Sequence, residues 1–169
     1  SSGKRENLSH IPSSSYELVV GDLCDQQLVK CLTGKVSRIF HLAAFISVPG
    51  SFENPMLNNE VNVTGMLNLM LAARDQGVQK LVFSSSCAVY QEPSEERPVV
   101  DETSPTGPVS PYGLSKRIGE EYARVLAPVS SLSVVVLRYF NVFGPRQDPK
   151  SPYAAAVPIF LDRILSGKE

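Results

Sequence analysis

The sequence predicts an α/β fold organised around a doubly wound parallel sheet. Short apolar runs rich in β-branched and aromatic residues alternate along the chain with segments that have helical spacing. Strand–helix–strand units of this kind form right-handed crossovers, which make successive strands parallel. The apolar runs are nearly continuous rather than alternating, as is typical of a sheet that helices cover on both faces.

Four apolar runs are the predicted strands, and a polar segment precedes them. Residues 1–15 are rich in Ser, Asn and Pro and are expected to form a flexible start. Residues 16–169 are expected to form one domain. The predicted strands are residues 16–21, 38–44, 80–86 and 133–140.

Capping signals and apolar periodicity delimit the helices. Asp25 is a suitable N-cap, and the Ser110-Pro111 pair places a cap directly before a proline in the first turn. The predicted helices cover residues 25–32, 56–76, 110–126 and 155–167. Segments rich in Pro, Gly and polar residues predict loops over 47–55, 91–109 and 141–154.

The composition argues against several kinds of partner and site. The net charge is −1 and no Lys/Arg-rich run occurs, so neither nucleic acid nor an anionic membrane is expected as the main partner. No apolar run approaches the length of a membrane span, and no signal segment opens the chain, so a cytoplasmic protein is expected. The three cysteines and two histidines have no metal-binding spacing, and no metal is expected.

Small or singly polar residues follow each predicted strand. Ligands of an open parallel sheet bind beyond the carboxyl ends of its strands. The residues at those positions are 21–23, 43–45, 84–86 and 140–141, and they include glycine, alanine, serine, one carboxylate and one amide. This set suits a flat cofactor that lies across the strand ends.

The helix predicted over 110–126 carries a Tyr-x-x-x-Lys pair. Tyr112 and Lys116 are four residues apart and therefore lie on one helical face, one turn from each other. Gly119 and Ala123 share that face, and their size allows close approach to a sheet or ligand. Such a pair is common by chance. Here it opens a helix that follows a serine-rich strand end, which favours a functional site.

The pair suits the oxidation of an alcohol. An unperturbed tyrosine has a pKa near ~10. A neighbouring ammonium and a positively charged nicotinamide ring are expected to lower the pKa of Tyr112, so that it acts as general base. Ser86 is expected to share the hydrogen bond to the same oxygen, while the alcohol carbon gives its hydride to the cofactor.

Seven segments, in order, resemble the extended short-chain dehydrogenase/reductase family, in particular its UDP-sugar 4-epimerases. They are GDL at 21–23, HLAA at 41–44, SVPGSFENP at 47–55, NVTG at 62–65, SSSCAVY at 84–90, SPYGLSK at 110–116 and LRYFNVFGPRQDP at 137–149. The resemblance covers nearly the whole chain. The last segment, with residues 151–158, resembles bacterial epimerases that accept UDP-N-acetylhexosamines.

The resemblance implies an NAD(P)-binding Rossmann fold, NAD as cofactor and a UDP-sugar as substrate. In the family's cycle the hydride leaves C4 of the sugar, the resulting 4-keto ring turns over, and the hydride returns to the opposite face. Ser86, Tyr112 and Lys116 would be catalytic. The implied cofactor contacts are Asp22, Leu23, Leu42, Ala43, Ala44, Asn62, Ser84, Tyr112, Lys116 and Tyr139. The implied substrate contacts are Val48, Ser86, Tyr112, Asn141, Ala155 and Ala156.

The chain departs from the family pattern at both ends. The family's first strand-helix unit, with a G-x-x-G-x-x-G turn whose amides meet the pyrophosphate, has no counterpart here. The C-terminal substrate domain has none either. An incomplete fold is therefore expected, inactive alone, from an enzyme that is active at full length. Ile46 replaces a lysine of many galactose epimerases, and Gln91 replaces a usual glycine.

Two alternatives and one assembly follow from the resemblance. Dehydratase relatives carry an acidic pair where this chain has Cys87 and Ala88, which favours an epimerase over a dehydratase or decarboxylase. A dehydratase or reductase of the same family is the first alternative. A non-catalytic binding paralogue is the other alternative, against which the intact catalytic residues argue. The helices over 56–76 and 110–126 are expected to form the interface of a homodimer.

Overall fold

The computed structural model of the chain describes residues 3–92, 98–145, 147 and 156–167. The chain divides into two compact units. One is Asp22–Phe140, and the other consists of Ser1–Gly21 and Asn141–Glu169. The first unit holds the sheet and five of the six α-helices of the described residues. It also contains every residue of the predicted catalytic set.

A three-stranded parallel sheet confirms the predicted fold class. Its strands are β1 (Arg38–His41), β2 (Lys80–Ser86) and β3 (Ser133–Tyr139), in the order β1-β2-β3. The central strand places Phe83 beside His41 of β1, and Ser86 beside Tyr139 of β3. All three carboxyl ends therefore lie at the same edge of the sheet.

Five helices accompany this sheet in the first unit, but the expected cover on both faces is not found among the described residues, since Phe40 of β1 is 70% exposed. They are α1 (Gln26–Thr33), α2 (Val48–Glu53), α3 (Pro55–Asn59), α4 (Gly65–Asp75) and α5 (Pro111–Leu126), and a π-helical turn (Glu60–Thr64) joins α3 to α4. The predicted caps are confirmed. The side chain of Asp25 accepts hydrogen bonds from two amides of α1, and that of Ser110 accepts one from the Gly113 amide.

The core lies where α4 and α5 pack on the central strand. Met66 and Met70 of α4 and Leu81 and Phe83 of β2 are almost fully buried. A Cβ atom at Gly119 would lie 2.7 Å from the Phe83 ring, so the glycine lets α5 press directly onto the sheet. This confirms the expected close approach of the helical face that carries Lys116.

Two predictions of secondary structure are wrong. Residues 16–21 form no strand, because they belong to no ladder and a strand exists only through pairing with a neighbour. Residues 47–55 are not a loop but contain α2, since Ser47 caps it and Pro49 lies in the first turn, where its missing amide hydrogen costs nothing. β1 also ends at His41, short of residue 44.

The long predicted loop is confirmed where the structure describes it. Residues 91–92 and 98–109 contain neither helix nor strand, apart from a bridge between Tyr90 and Thr106. Residues 93–97 lie outside the described residues, as do residue 146 and residues 148–154 of the loop predicted over 141–154. Among the helices that are described, none is long and apolar enough to cross a membrane.

The second unit is described by short elements. Its first segment contains two short 3-10 turns, Arg5–Leu8 and Ser13–Ser15. Its second segment contains helix α6 (Ala156–Leu165), close to the predicted final helix. Asn141 is exposed in this unit, Ala156 begins α6, and Ala155 lies outside the described residues.

Candidate active site

The first turn of α5 brings Tyr112 to the carboxyl end of β2. Pro111 opens the helix and Tyr112 follows it, so the phenol projects from an end that is fixed by the Ser110 cap. A Cβ atom at Gly113 would overlap the carbonyl oxygen of Ala88. The absence of a side chain at Gly113 therefore allows the helix to begin against the segment that follows Ser86.

Ser86, Tyr112 and Lys116 form one cluster, as the sequence predicts. The Ser86 hydroxyl lies close enough to the Tyr112 phenol to act on its pKa. The Lys116 nitrogen, Nζ, lies 5.9 Å from the centre of the Tyr112 ring. A hydroxyl, a phenol and an ammonium thus meet where parallel sheets bind ligands.

Lys116 is a buried ammonium held at the end of the central strand. Its side chain is only 4% exposed, and Nζ donates a 2.8 Å hydrogen bond to the carbonyl oxygen of Ser84. Nζ also lies 5.2 Å from the centre of the Phe83 ring. Burial lowers the pKa of Lys116 to about 8. The amine can therefore lose its charge in a mildly alkaline range.

The expected lowering of the tyrosine pKa is not found in the chain by itself. Burial raises the pKa of Tyr112 above its ordinary value, while the hydrogen bond with Ser86 acts in the opposite direction. Burial outweighs that bond because the phenolate loses more hydration than one hydroxyl restores. The Lys116 ammonium is directed at a carbonyl oxygen instead.

His41 is a further titratable neighbour that the sequence analysis did not single out. It is buried on β1, and its ring stacks on Phe83 with centroids 5.7 Å apart. Burial lowers the pKa of His41 to about 4, and the charge of Lys116 acts in the same direction. His41 is consequently uncharged near pH 7, and Lys116 supplies the positive charge beside Tyr112.

Asn62 holds the chain after β1 against two helices. Its Oδ1 accepts a 2.8 Å hydrogen bond from the Phe45 amide, and its Nδ2 donates to Phe45 O at 2.9 Å. Nδ2 also lies within hydrogen-bond distance of Asn58 Oδ1 and Ser115 Oγ, 3.0 Å from each. This buried side chain therefore ties the turn at residue 45 to α3 and α5.

A buried ion pair on α5 also went unpredicted. Glu120 accepts hydrogen bonds from Ser85 Oγ at 2.6 Å and from Arg138 Nε and Nη2 at 2.9 and 2.7 Å. Burial tends to raise the pKa of Glu120, but the hydrogen bonds from Arg138 and Ser85 outweigh it and hold the pKa below its ordinary value. The lone arginine in the apolar strand β3 could have indicated this pair, because a buried charge needs a partner of opposite charge.

A largely apolar cavity of about 380 Å³ opens beside the end of β2. Val48 and Phe52 of α2 form part of its wall, and Cys87 and Ala88, which directly follow Ser86, form another part. Val48 was predicted to contact substrate, and the structure places it on this wall. The cavity is of the size and polarity of small-molecule sites.

The remaining predicted contacts occupy the same sheet edge or the turn after residue 21. Leu42, Ala43 and Ala44 directly follow β1, and Leu42 is 68% exposed. Tyr139, the last residue of β3, is half-exposed. Asp22 accepts a 2.8 Å hydrogen bond from the Cys24 amide. The backbone oxygen of Leu23 accepts one from Asn68 at 3.2 Å.

The donor set at this edge fits the nicotinamide end of a dinucleotide. Ser84 Oγ is buried and has no hydrogen-bond partner among the described residues. Lys116 uses one of its three N–H groups on Ser84 O, so further N–H groups remain for ribose hydroxyls. Small and exposed residues after β1 leave room for a flat ligand over the strand ends.

The model of the NAD dependent epimerase/dehydratase family matches residues 1–169. The chain belongs to this family. The predicted resemblance, the Rossmann-like α/β fold and NAD as the family's cofactor are thereby confirmed.

Named relatives agree with this assignment. The chain is 41% identical over 154 residues to a putative UDP-glucose 4-epimerase of Methanocaldococcus jannaschii, and the match covers 90% of the chain and 50% of the relative. The chain therefore spans about half the length of the curated relatives it matches.

Solved structures of family members have the same fold. A UDP-N-acetylglucosamine 4-epimerase from Methanobrevibacter ruminantium, in complex with UDP-N-acetylmuramic acid, is 40% identical with a TM-score of 0.91, over 100% of this chain and 54% of that one. A UDP-glucose 4-epimerase from Thermus thermophilus, in complex with NAD, is 41% identical with a TM-score of 0.86, over 98% and 52%.

Proposed function

We propose that the full-length protein interconverts the C4 epimers of a UDP-sugar, with Tyr112 as the general base. The observation that carries this proposal is the cluster of Ser86, Tyr112 and Lys116 at the carboxyl end of β2. The names of the relatives support the substrate class, since they act on UDP-glucose or UDP-N-acetylglucosamine. The two sugars differ at C2 and not at C4, where the reaction takes place, so both are candidate substrates.

The proposed chemistry divides one oxidation between the chain and the cofactor. Tyr112, as phenolate, takes the proton from the C4 hydroxyl, and Ser86 donates a hydrogen bond to the same oxygen. Bound NAD supplies a positive charge beside the phenol and a hydride acceptor. Reversing these steps on the other face of the 4-keto sugar restores the C4 hydrogen with inverted configuration and returns the proton from Tyr112.

The lowering of the tyrosine pKa is proposed to belong to the loaded enzyme. In the chain itself burial raises the pKa of Tyr112. Lys116 lies within reach of that phenol, and closing the site over the sugar removes the water that screens its charge. We expect the Lys116 ammonium to hold the nicotinamide ribose and to favour the phenolate from there.

The wall beside Ser86 supports an epimerase over a dehydratase. Elimination of water from a 4-keto sugar needs an acid and a base near C5 and C6. Cys87 and Ala88 occupy the two positions after Ser86 and line the apolar cavity, and neither is a carboxylate. A dehydratase remains the second candidate, because the family includes that activity.

The deciding assay offers UDP-glucose and UDP-N-acetylglucosamine to the full-length protein and to two tyrosine variants. Tyr112→Phe is expected to lower kcat by about 100-fold or more, the usual contribution of a general base. Tyr122→Phe is the matched control, since Tyr122 lies on the same helix and packs on the core. A Tyr112→Phe enzyme of undiminished activity, or a 4-keto-6-deoxy product, would contradict the proposal.

We also propose a homodimer formed through α3–α4 and α5. Both segments carry exposed apolar side chains, with Met56 78% exposed on α3 and Leu114 51% exposed on α5. Leu114→Glu should convert the full-length dimer to a monomer in sedimentation experiments, whereas Arg124→Glu, on an exposed polar position of α5, should not. A wild-type monomer at micromolar concentration would overturn this proposal.

The thiols of Cys24, Cys31 and Cys87 are free, which fits the proposed cytoplasmic location.

A further inference from the structure

We infer that Ser51 is a positioning residue for Tyr112, an inference that rests on the proposed function of that tyrosine. Ser51 lies on α2 and is 0% exposed. Its hydroxyl oxygen accepts a 3.1 Å hydrogen bond from the Tyr112 amide, and the same hydroxyl donates a 2.6 Å bond to the backbone oxygen of Val48. One buried hydroxyl thus joins the wall of the cavity to the residue that would remove the proton.

The start of a helix explains why Tyr112 needs an outside partner. The first four amides of an α-helix have no acceptor within the helix. The Ser110 side chain accepts from Gly113, and Pro111 has no amide hydrogen. Among the first three helical residues, the Tyr112 amide is therefore the donor that still needs an acceptor, and Ser51 satisfies it from a different element 61 residues away.

Neighbouring polar side chains also bind the backbone carbonyl groups before and after the Tyr112 side chain. Ser115 Oγ donates a 2.7 Å hydrogen bond to the backbone oxygen of Tyr112 and accepts one from Asn62 at 3.0 Å. Asn58 Nδ2 donates to Pro111 O at 3.1 Å. Both the N–H and the C=O of Tyr112 are consequently bound by side chains, which leaves the backbone of the tyrosine little freedom to shift.

This anchorage matters because the reactive oxygen is distant from the point that is fixed. A small displacement of the helix start moves the phenol relative to Ser86 and to the sugar. A misplacement of about 1 Å can cost roughly 100-fold in rate. Loss of the Ser51 hydroxyl should therefore slow the chemical step more than it weakens substrate binding.

The test compares Ser51→Ala with Thr33→Ala in the full-length enzyme. Thr33 is also buried, and its hydroxyl bonds only within α1, to Val29 O at 2.9 Å and to Lys30 O at 3.1 Å, among the contacts described. Both variants lose a buried hydroxyl and are expected to lower the Tm. Only Ser51→Ala is expected to lower kcat, by roughly 10- to 100-fold, with the KM for the UDP-sugar changed by less than about threefold.

The pH profile provides the readout that lost stability alone does not move. The bond with Ser86 lowers the pKa of Tyr112, so a displaced phenol should have a higher pKa. The acidic limb of kcat/KM should then move to higher pH in Ser51→Ala and stay in place in Thr33→Ala. Ser51→Cys, which keeps a weak donor and acceptor at the same position, should restore part of kcat and covers the case in which the alanine variant does not fold.

Two outcomes separate the inference from the proposed function. If Tyr112→Phe abolishes activity while Ser51→Ala keeps the wild-type kcat and pH profile, Ser51 is not a positioning residue and the proposed function stands. If Tyr112→Phe keeps the wild-type activity, the proposed function is wrong, and the inference about Ser51 loses its basis with it. An equal loss of kcat in Ser51→Ala and Thr33→Ala would also overturn the inference.

Discussion

Lys116 Nζ donates a 2.8 Å hydrogen bond to the backbone oxygen of Ser84, so an ammonium is fixed at the carboxyl end of the central strand. The side chain reaches this position because Gly119, on the same helical face, lets α5 lie on the Phe83 ring. Helix packing therefore determines where the cation lies, and Lys116 is buried as a consequence.

Burial of Lys116 predicts an alkaline change in stability. Its pKa is about 8 in the folded chain against an ordinary value of 10.5, so the folded state disfavours the charged form. The cost of burying the charged amine is present in full below pH 8. It disappears as pH rises from about 8 to 10.5, because in that range the unfolded state binds more protons than the folded state. The wild type should gain roughly 3 kcal/mol of unfolding free energy relative to Lys116→Met across that window. Urea unfolding of both full-length proteins followed by circular dichroism measures this. A pH-independent difference would refute the prediction.

The Glu120–Arg138 pair predicts a large loss of stability on neutralisation. Glu120→Gln removes the charge that compensates a largely buried arginine, and should lower the free energy of unfolding by roughly 3 kcal/mol. Glu121→Gln is the matched control, because Glu121 is the next residue and forms exposed pairs with Arg117 and Arg124. No measurable change is expected in that control.

The same pair also predicts a dependence on acid. The pKa of Glu120 is lowered in the fold, so its stabilisation is present above the ordinary pKa of 4.5 and is lost as pH falls through the lower folded value. Glu120→Gln should therefore be less sensitive to acid than the wild type. Equal acid sensitivity of the two proteins would show that another group controls the transition.

Close packing at Gly119 predicts that alanine destabilises this helix. Gly→Ala in a helix interior ordinarily stabilises by about 1 kcal/mol. At Gly119 the added Cβ would lie 2.7 Å from the Phe83 ring, so a loss of about 1–3 kcal/mol is expected instead. Gly107→Ala, whose Cβ meets its nearest neighbour at an ordinary 3.4 Å, should be nearly neutral. Thermal unfolding of the two variants distinguishes these outcomes, and a stabilised Gly119→Ala would refute the packing argument.

Local signals predicted the elements that bring the proposed catalytic residues together. The Ser110-Pro111 start and the helical spacing after it are properties of neighbouring residues, and α5 begins at Pro111 as expected. The strand expected over 16–21 depends on a partner that neighbouring residues do not specify, and no strand forms there. The helix over Val48–Glu53 was missed because its proline and glycine usually indicate a loop, although proline is permitted in a first turn.

Part of the site could not be predicted from the sequence, because it depends on contacts between distant residues. Glu120 lies on a helix with several other charged residues, and its burial depends on hydrogen bonds from Arg138, 18 residues away, and from Ser85, 35 residues away. The Ser51 hydroxyl meets the Tyr112 amide across 61 residues. Neither relationship follows from spacing along one helix, whereas the Tyr112–Lys116 pair does.

Transfer of a deuterium label tests the central claim most directly. Full-length protein incubated with a UDP-sugar deuterated at C4 should yield the epimer with the label still at C4, because the hydride removed while Tyr112 takes the proton returns to the same carbon. Mass spectrometry and NMR of the recovered sugar locate the label. Label lost to solvent, or found at C6 of a product that has lost its hydroxyl, would contradict the account.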